Sequence, residues 1–167
     1  PFYIARAGAV ALRTDFGEAA ALCDDWLETL EASALATDRI RSTVLQKSGN
    51  YWRLHGEHEK ALDRLQRVVT IADSNHVPPG IDTLLSLGSL YGELGRFDES
   101  ESVLRRGLGA AQRNYGERHQ LYAQASNEFA QLLARRGKYE EALPYALRAL
   151  SIHESERDAP TRDLGLA

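Results

Sequence analysis

The residues that could do chemistry in this chain are few, and their spacing argues against most of it. His55-Gly56-Glu57-His58 is the one local group of metal-binding types. A helical zinc site needs His-Glu-x-x-His on one continuous face. Counting on from His58-Glu59, the second histidine would have to stand where the chain has Leu62, and Gly56 ends a helix between His55 and His58. The group predicts a solvated turn and no metal site. Gly88, Gly92 and Gly95 form a glycine run, but phosphate loops follow a strand and open a helix. These glycines lie along a helix and its cap, and so predict close helix packing. Cys23 falls in a core position, as do Trp26 and Trp52, and predicts an inert buried thiol. No set of Ser, His and Asp converges. No catalytic residue, metal or cofactor is expected, and the chain is not expected to be an enzyme.

Composition narrows the class. Hydrophobic residues make up 43% of the 167 residues and charged residues 26%, ordinary for a chain that buries a core. A net charge of −4 leaves no electrostatic footprint for nucleic acid. No apolar run reaches the ~18 residues of a membrane span, and no signal-peptide pattern opens the chain. One cysteine needs no oxidising compartment. A soluble, cytoplasmic protein is expected, without nucleic-acid or membrane partners. Arginine outnumbers lysine 17 to 3, which suggests a GC-rich, bacterial source.

The elements that would position any site come from an internal repeat. Gly95 falls on Gly137 at an offset of 42 residues, and with it Phe97 on Tyr139, Ser100 on Ala142 and Leu108 on Leu150. Gly56 falls on Gly95 at an offset of 39, carrying Gly49 onto Gly88, Trp52 onto Tyr91 and Leu65 onto Leu104. A further step of 42 places Thr14, Phe16, Ala19, Cys23 and Trp26 in the same columns. In each copy a small residue (Ala7, Gly49, Gly88, Ala130) precedes a bulky one (Val10, Trp52, Tyr91, Leu133) by three positions. That spacing puts both on one helical face, with the small residue where two helices approach closely. Glycine at 56, 95 and 137 then ends the first helix, since a residue without Cβ enters the left-handed cap freely. Asp98 and Glu99, or Glu140 and Glu141, place carboxylates in the next helix's first turn, where the helix dipole favours them. Each hairpin keeps one apolar side, so neighbours must stack to bury it.

Eight helices are predicted, over 2–13, 16–35, 38–55, 57–74, 81–94, 97–114, 119–136 and 139–156, with no strands. Val77-Pro78-Pro79-Gly80 is the clearest break, and Pro144 is expected to bend the last helix slightly.

These columns resemble the tetratricopeptide repeat, a unit of about 34 residues with the pattern W-x2-L-G-x2-Y … A-x3-F … P. Leu84-x2-Leu87-Gly88-x2-Tyr91 reproduces its first half, and Ser100 and Leu104 follow at the family's spacing. The longer offsets, with Tyr115-Gly116-Glu117-Arg118-His119 and Gly137-Lys138-Tyr139-Glu140-Glu141-Ala142-Leu143-Pro144, resemble the subtype found in kinesin light chains and many bacterial signalling proteins. The resemblance covers residues 3–156. Arg6 and Ser48 depart from it at large apolar positions, His58 at an aromatic one and Thr14 at a turn glycine.

The resemblance implies an all-α, right-handed α-α superhelix of four helix-turn-helix repeats, whose first helices line a concave face. The repeat domain would span 1–157, with repeats near 1–36, 37–76, 80–116 and 118–156, and 158–167 would be a tail or the start of a further repeat. Carried over by column, the concave positions are Gln46, Lys47, Asn50 and Arg53; then Asp82, Leu85, Ser86, Ser89 and Glu93; then Gln124, Asn127, Glu128, Gln131 and Arg135. Amide side chains both donate and accept, which suits an extended peptide backbone. Asn127 matches one of the asparagines that the kinesin-light-chain-like subtype carries there. The carboxylate clamp of chaperone-binding relatives is not reproduced. Its positions hold Gln46, Asn50, Ser86, Gln124 and Glu128, of which only Asn50 fits, and Glu128 would repel an acidic tail.

The function expected is a non-catalytic scaffold for a protein or peptide. The alternative is a regulatory or self-association region of a larger bacterial signalling protein, such as a kinase, cyclase or transcription regulator. The chain opens at Pro1 inside a helix and closes at Asp163–Ala167, where a fifth repeat would start, with no polar capping face at either end. A piece of a longer protein is therefore expected, with uncapped repeat ends that favour self-association.

Overall fold

The computed structural model describes residues 2–12, 15–32 and 37–157. They form α1 (Phe2–Ala11), α2 (Phe16–Glu31), α3 (Asp38–His55), α4 (His58–Ser74), α5 (Ile81–Glu93), α6 (Phe97–Tyr115), α7 (Gln120–Arg135) and α8 (Tyr139–Arg157), with no strand among the described residues. The expected columns at Arg13, Thr14 and residues 33–35, and the tail 158–167, lie outside the described residues. α2 ends at Glu31 with Ala32 as its cap, short of the predicted 35. α8 runs unbroken through Pro144.

Helix boundaries follow local chemistry. Asp15 accepts the Glu18 N–H at 3.0 Å, and the Thr37 hydroxyl accepts that of Ile40 at 3.4 Å. These are side-chain N-caps, each satisfying an N–H that has no partner inside its helix. Glycines 56, 95 and 137 sit at φ of 90°, 72° and 75°. Behind each, the following N–H reaches back to close the helix: Glu57 to Trp52 O, Arg96 to Tyr91 O and Lys138 to Leu133 O, at 2.8–2.9 Å. This is the Schellman geometry, which a side chain at the glycine would strain.

Packing is strictly between neighbours. α1 packs on α2, α2 on α3, and so on to α7 on α8. The core follows as a running band. Cys23, Leu27, Val44 and Leu45 occupy its first part, Leu65, Leu87 and Leu90 its middle, and Leu104, Phe129 and Leu133 its last. The small-residue column has the predicted cause. A Cβ added at Gly88 would lie 2.5 Å from Leu104 Cγ, and one at Gly49 would lie 2.8 Å from Leu65 Cγ.

Each seam between repeats also carries a polar tie. Across α4–α5, Gln66 Nε2 donates to the Tyr91 hydroxyl at 2.9 Å. Across α6–α7, Arg136 donates to Glu101 at 2.6 Å and pairs with Asp98 at 3.2 Å, while the Arg105 guanidinium lies 4.9 Å from the Phe129 ring centre. Across α2–α3 the buried Ser48 donates to Asp24 Oδ1 at 2.6 Å. Ser48 departs from the apolar pattern because its column holds a hydrogen bond here.

Candidate functional site

The first helix of each hairpin carries polar residues on the side away from its own partner, and α3, α5 and α7 bring these residues together. Arg53, Ser89, Glu93, Glu128, Gln131 and Arg135 line one pocket of about 110 Å3. Its floor includes Gly88, Gly92, Ser100, Leu104 and Leu132. Gly92 opens it: a Cβ there would stand 3.4 Å from Ser100 Oγ and 3.9 Å from Arg135 Nη1.

Two contacts join the repeats across this pocket. Arg53 Nη1 donates to Glu93 Oε1 at 2.7 Å, linking α3 to α5. Ser89 Oγ lies 2.5 Å from Glu128 Oε2 and 2.9 Å from Leu85 O, linking α5 to α7. The pocket thus holds two carboxylates and two guanidinium groups, balanced in charge. Its sequence signal was available, because each pair is separated by one repeat length, 40 and 39 residues.

The remaining candidates spread along the same helices. Gln46 lines a second cleft, with Asp38, Ser42, Asn75 and Thr83, where α3, α4 and α5 meet. Lys47, Asn50 and Ser86 are half-buried, whereas Asp82, Gln124 and Asn127 are exposed. Asn50 Oδ1 and Arg53 Nε, one turn apart on α3, are buried without a hydrogen-bond partner among the described residues. Leu85 is a correction to the column assignment. It is 2% exposed and belongs to the core, because Gly107 of α6 leaves room for its Cδ2.

The other chemistry-bearing residues stay apart. His55 packs edge-on to Trp52 at 5.9 Å and against Gly17, while His58 opens α4. Cys23 is 1% exposed. Burial pushes its thiol up to about 11, the Asp24 carboxylate adds to the rise, and Lys47 opposes it. Such a thiol is not a nucleophile at neutral pH.

Stacked two-helix repeats with a shared polar groove define a helical-repeat scaffold. Residues 81–155 match the family profile described as tetratricopeptide repeat. The chain is 31% identical over 156 residues to Protein KINESIN LIGHT CHAIN-RELATED 3 of Arabidopsis thaliana, and 29% identical over 154 residues to KINESIN LIGHT CHAIN-RELATED 2 of the same plant. These alignments take in 92% and 90% of the chain, which spans about a quarter (23%) of the length of either relative. Among solved structures, TPR-like repeats of a kinesin light chain from Podosopora anserina superpose with a TM-score of 0.75 at 17% identity, covering 93% of this chain and 74% of that one. The chain is a tetratricopeptide-repeat protein with long repeats of the kinesin-light-chain-like kind. No helix among the described residues is long and apolar enough to cross a membrane.

Proposed function

We propose that this chain is a non-catalytic scaffold that holds an extended peptide, or an extended segment of a partner protein, in the groove of α3, α5 and α7. The observation that carries the reading is the pocket in which six polar side chains from three successive repeats converge. An extended chain offers an N–H or a carbonyl at every residue, about 3.3 Å apart. The amides of Asn50, Asn127 and Gln131 can meet either group. The unpartnered acceptor of Asn50 and donor of Arg53 support the same reading, since buried polar groups are nearly always satisfied. The Arg53–Glu93 and Ser89–Glu128 contacts hold four side chains in place before binding, which lowers the entropy lost on it. Two carboxylates in the pocket favour a partner without a dense acidic tail. A single buried cysteine suits a cytoplasmic setting.

Panning the 167-residue chain against displayed random peptides tests the proposal. Enriched peptides should lose at least about tenfold in affinity for Asn50→Ala/Asn127→Ala, with no change in that variant's melting temperature. No enrichment, or equal binding by parent and variant, would overturn it.

A further inference from the structure

Away from the groove, α8 has an apolar outer face. Tyr139, Leu143, Leu147 and Leu150 are 70%, 57%, 55% and 52% exposed. They recur at four, four and three positions and therefore form one stripe. The repeat columns say what such a stripe holds. The column of Leu147 contains Asp24, Gln66 and Arg105, and the column of Leu143 contains Glu101. Asp24 binds Ser48 and Trp52 of α3, Gln66 binds Tyr91 of α5, Arg105 covers the Phe129 ring of α7, and Glu101 binds Arg136 just beyond α7. In every earlier second helix, this face carries the first helix of the next repeat.

Among the described first helices, α3, α5 and α7 present the complementary face to α2, α4 and α6 of their own chain. In α1 the complementary positions are Arg6, which is exposed, and Val10, which is half-buried. Arg6 is the one charged residue of α1, whereas α8 carries four glutamates against Arg148 and Arg157. Charge and register both favour the pairing of α8 with α1.

We propose that α8 of one copy docks α1 of a second copy, head to tail, in the register that α6 uses for α7. The contact joins two different surfaces, so it leaves one of each free and extends into longer assemblies. A single helix-on-helix contact is small, so association is weak and reversible.

Sedimentation and light scattering on the 167-residue chain, from about 10 µM to about 1 mM, test this. The average mass should climb with concentration past twice the 18.5 kDa chain. Leu147→Glu and Arg6→Glu should each weaken association by at least about tenfold, with unchanged thermal melts because both sites are exposed. A mixture of the two variants keeps one intact α8 and one intact α1, and should form pairs that grow no further. A chain that stays monomeric throughout overturns the proposal. So does a dimer that Arg6→Glu leaves intact, which would mean α8 pairing with α8.

Discussion

Trp52 Nε1 donates to Asp24 Oδ2 at 2.9 Å across the seam between α2 and α3. The same carboxylate takes Ser48 Oγ at 2.6 Å and Arg64 Nε at 3.0 Å on Oδ1, and Arg64 Nη2 at 3.2 Å on Oδ2. One half-buried side chain therefore ties α2 to both helices of the next hairpin. Asp24→Ala is predicted to cost about 2–3 kcal/mol, lowering the melting temperature by roughly 5–10 °C for a chain of this length. A melt within a degree or so of the parent's would mean that water replaces the network at no cost.

The same carboxylate sets a pH dependence. Burial alone would push Asp24 up, but the hydrogen bonds from Arg64, Ser48 and Trp52 outweigh it and hold the carboxyl below its usual range. A folded pKa below the unfolded one adds stability that is present at neutral pH and is lost as pH falls through the folded value. Melting temperature should therefore hold level down to about pH 5 and fall below about pH 4. Glu101, held low chiefly by Arg105, acts in the same direction. Asp24→Asn should flatten part of this acid loss, and a variant with the parent's acid profile would assign the loss to other carboxylates.

Two glycine-to-alanine changes should have opposite signs. At Gly88 the new Cβ meets Leu104 Cγ at 2.5 Å, and overpacking costs about 1–3 kcal/mol. At Gly8 in α1, nothing lies within 4 Å of the added atom, and the helix should gain about 0.5–1 kcal/mol. Denaturant midpoints measure both, and a neutral Gly88→Ala would show that α5 and α6 approach less closely than described.

Cys23 should resist alkylation in the folded state. With its thiol raised to about 11 and buried, iodoacetamide should label it only as fast as the chain opens, and at the free-thiol rate in denaturant. Rapid labelling of the folded chain at pH 7 would contradict its place in the core.

The parts of the fold legible in the sequence are those written by local rules. The ends at Gly56, Gly95 and Gly137 were readable because a left-handed cap needs a glycine at one position. The end of α2 was not, because Ala32-Ser33-Ala34-Leu35 contains no breaker. The Asp24 network was hidden because its partners lie 24, 28 and 40 residues away, and Ser48 looked like a flaw in an apolar column. Leu85 was misplaced because helical spacing alone does not distinguish a residue facing a groove from one sunk over Gly107 of the facing helix.

Amide chemical-shift mapping with a library-selected peptide tests groove binding most directly. The largest shifts should cluster on Asn50, Arg53, Ser89, Glu93, Glu128 and Gln131, with α2, α4 and α6 nearly silent. Shifts centred on the outer helices, or on the Tyr139–Leu150 stripe of α8, would contradict the assignment of the groove as the binding surface.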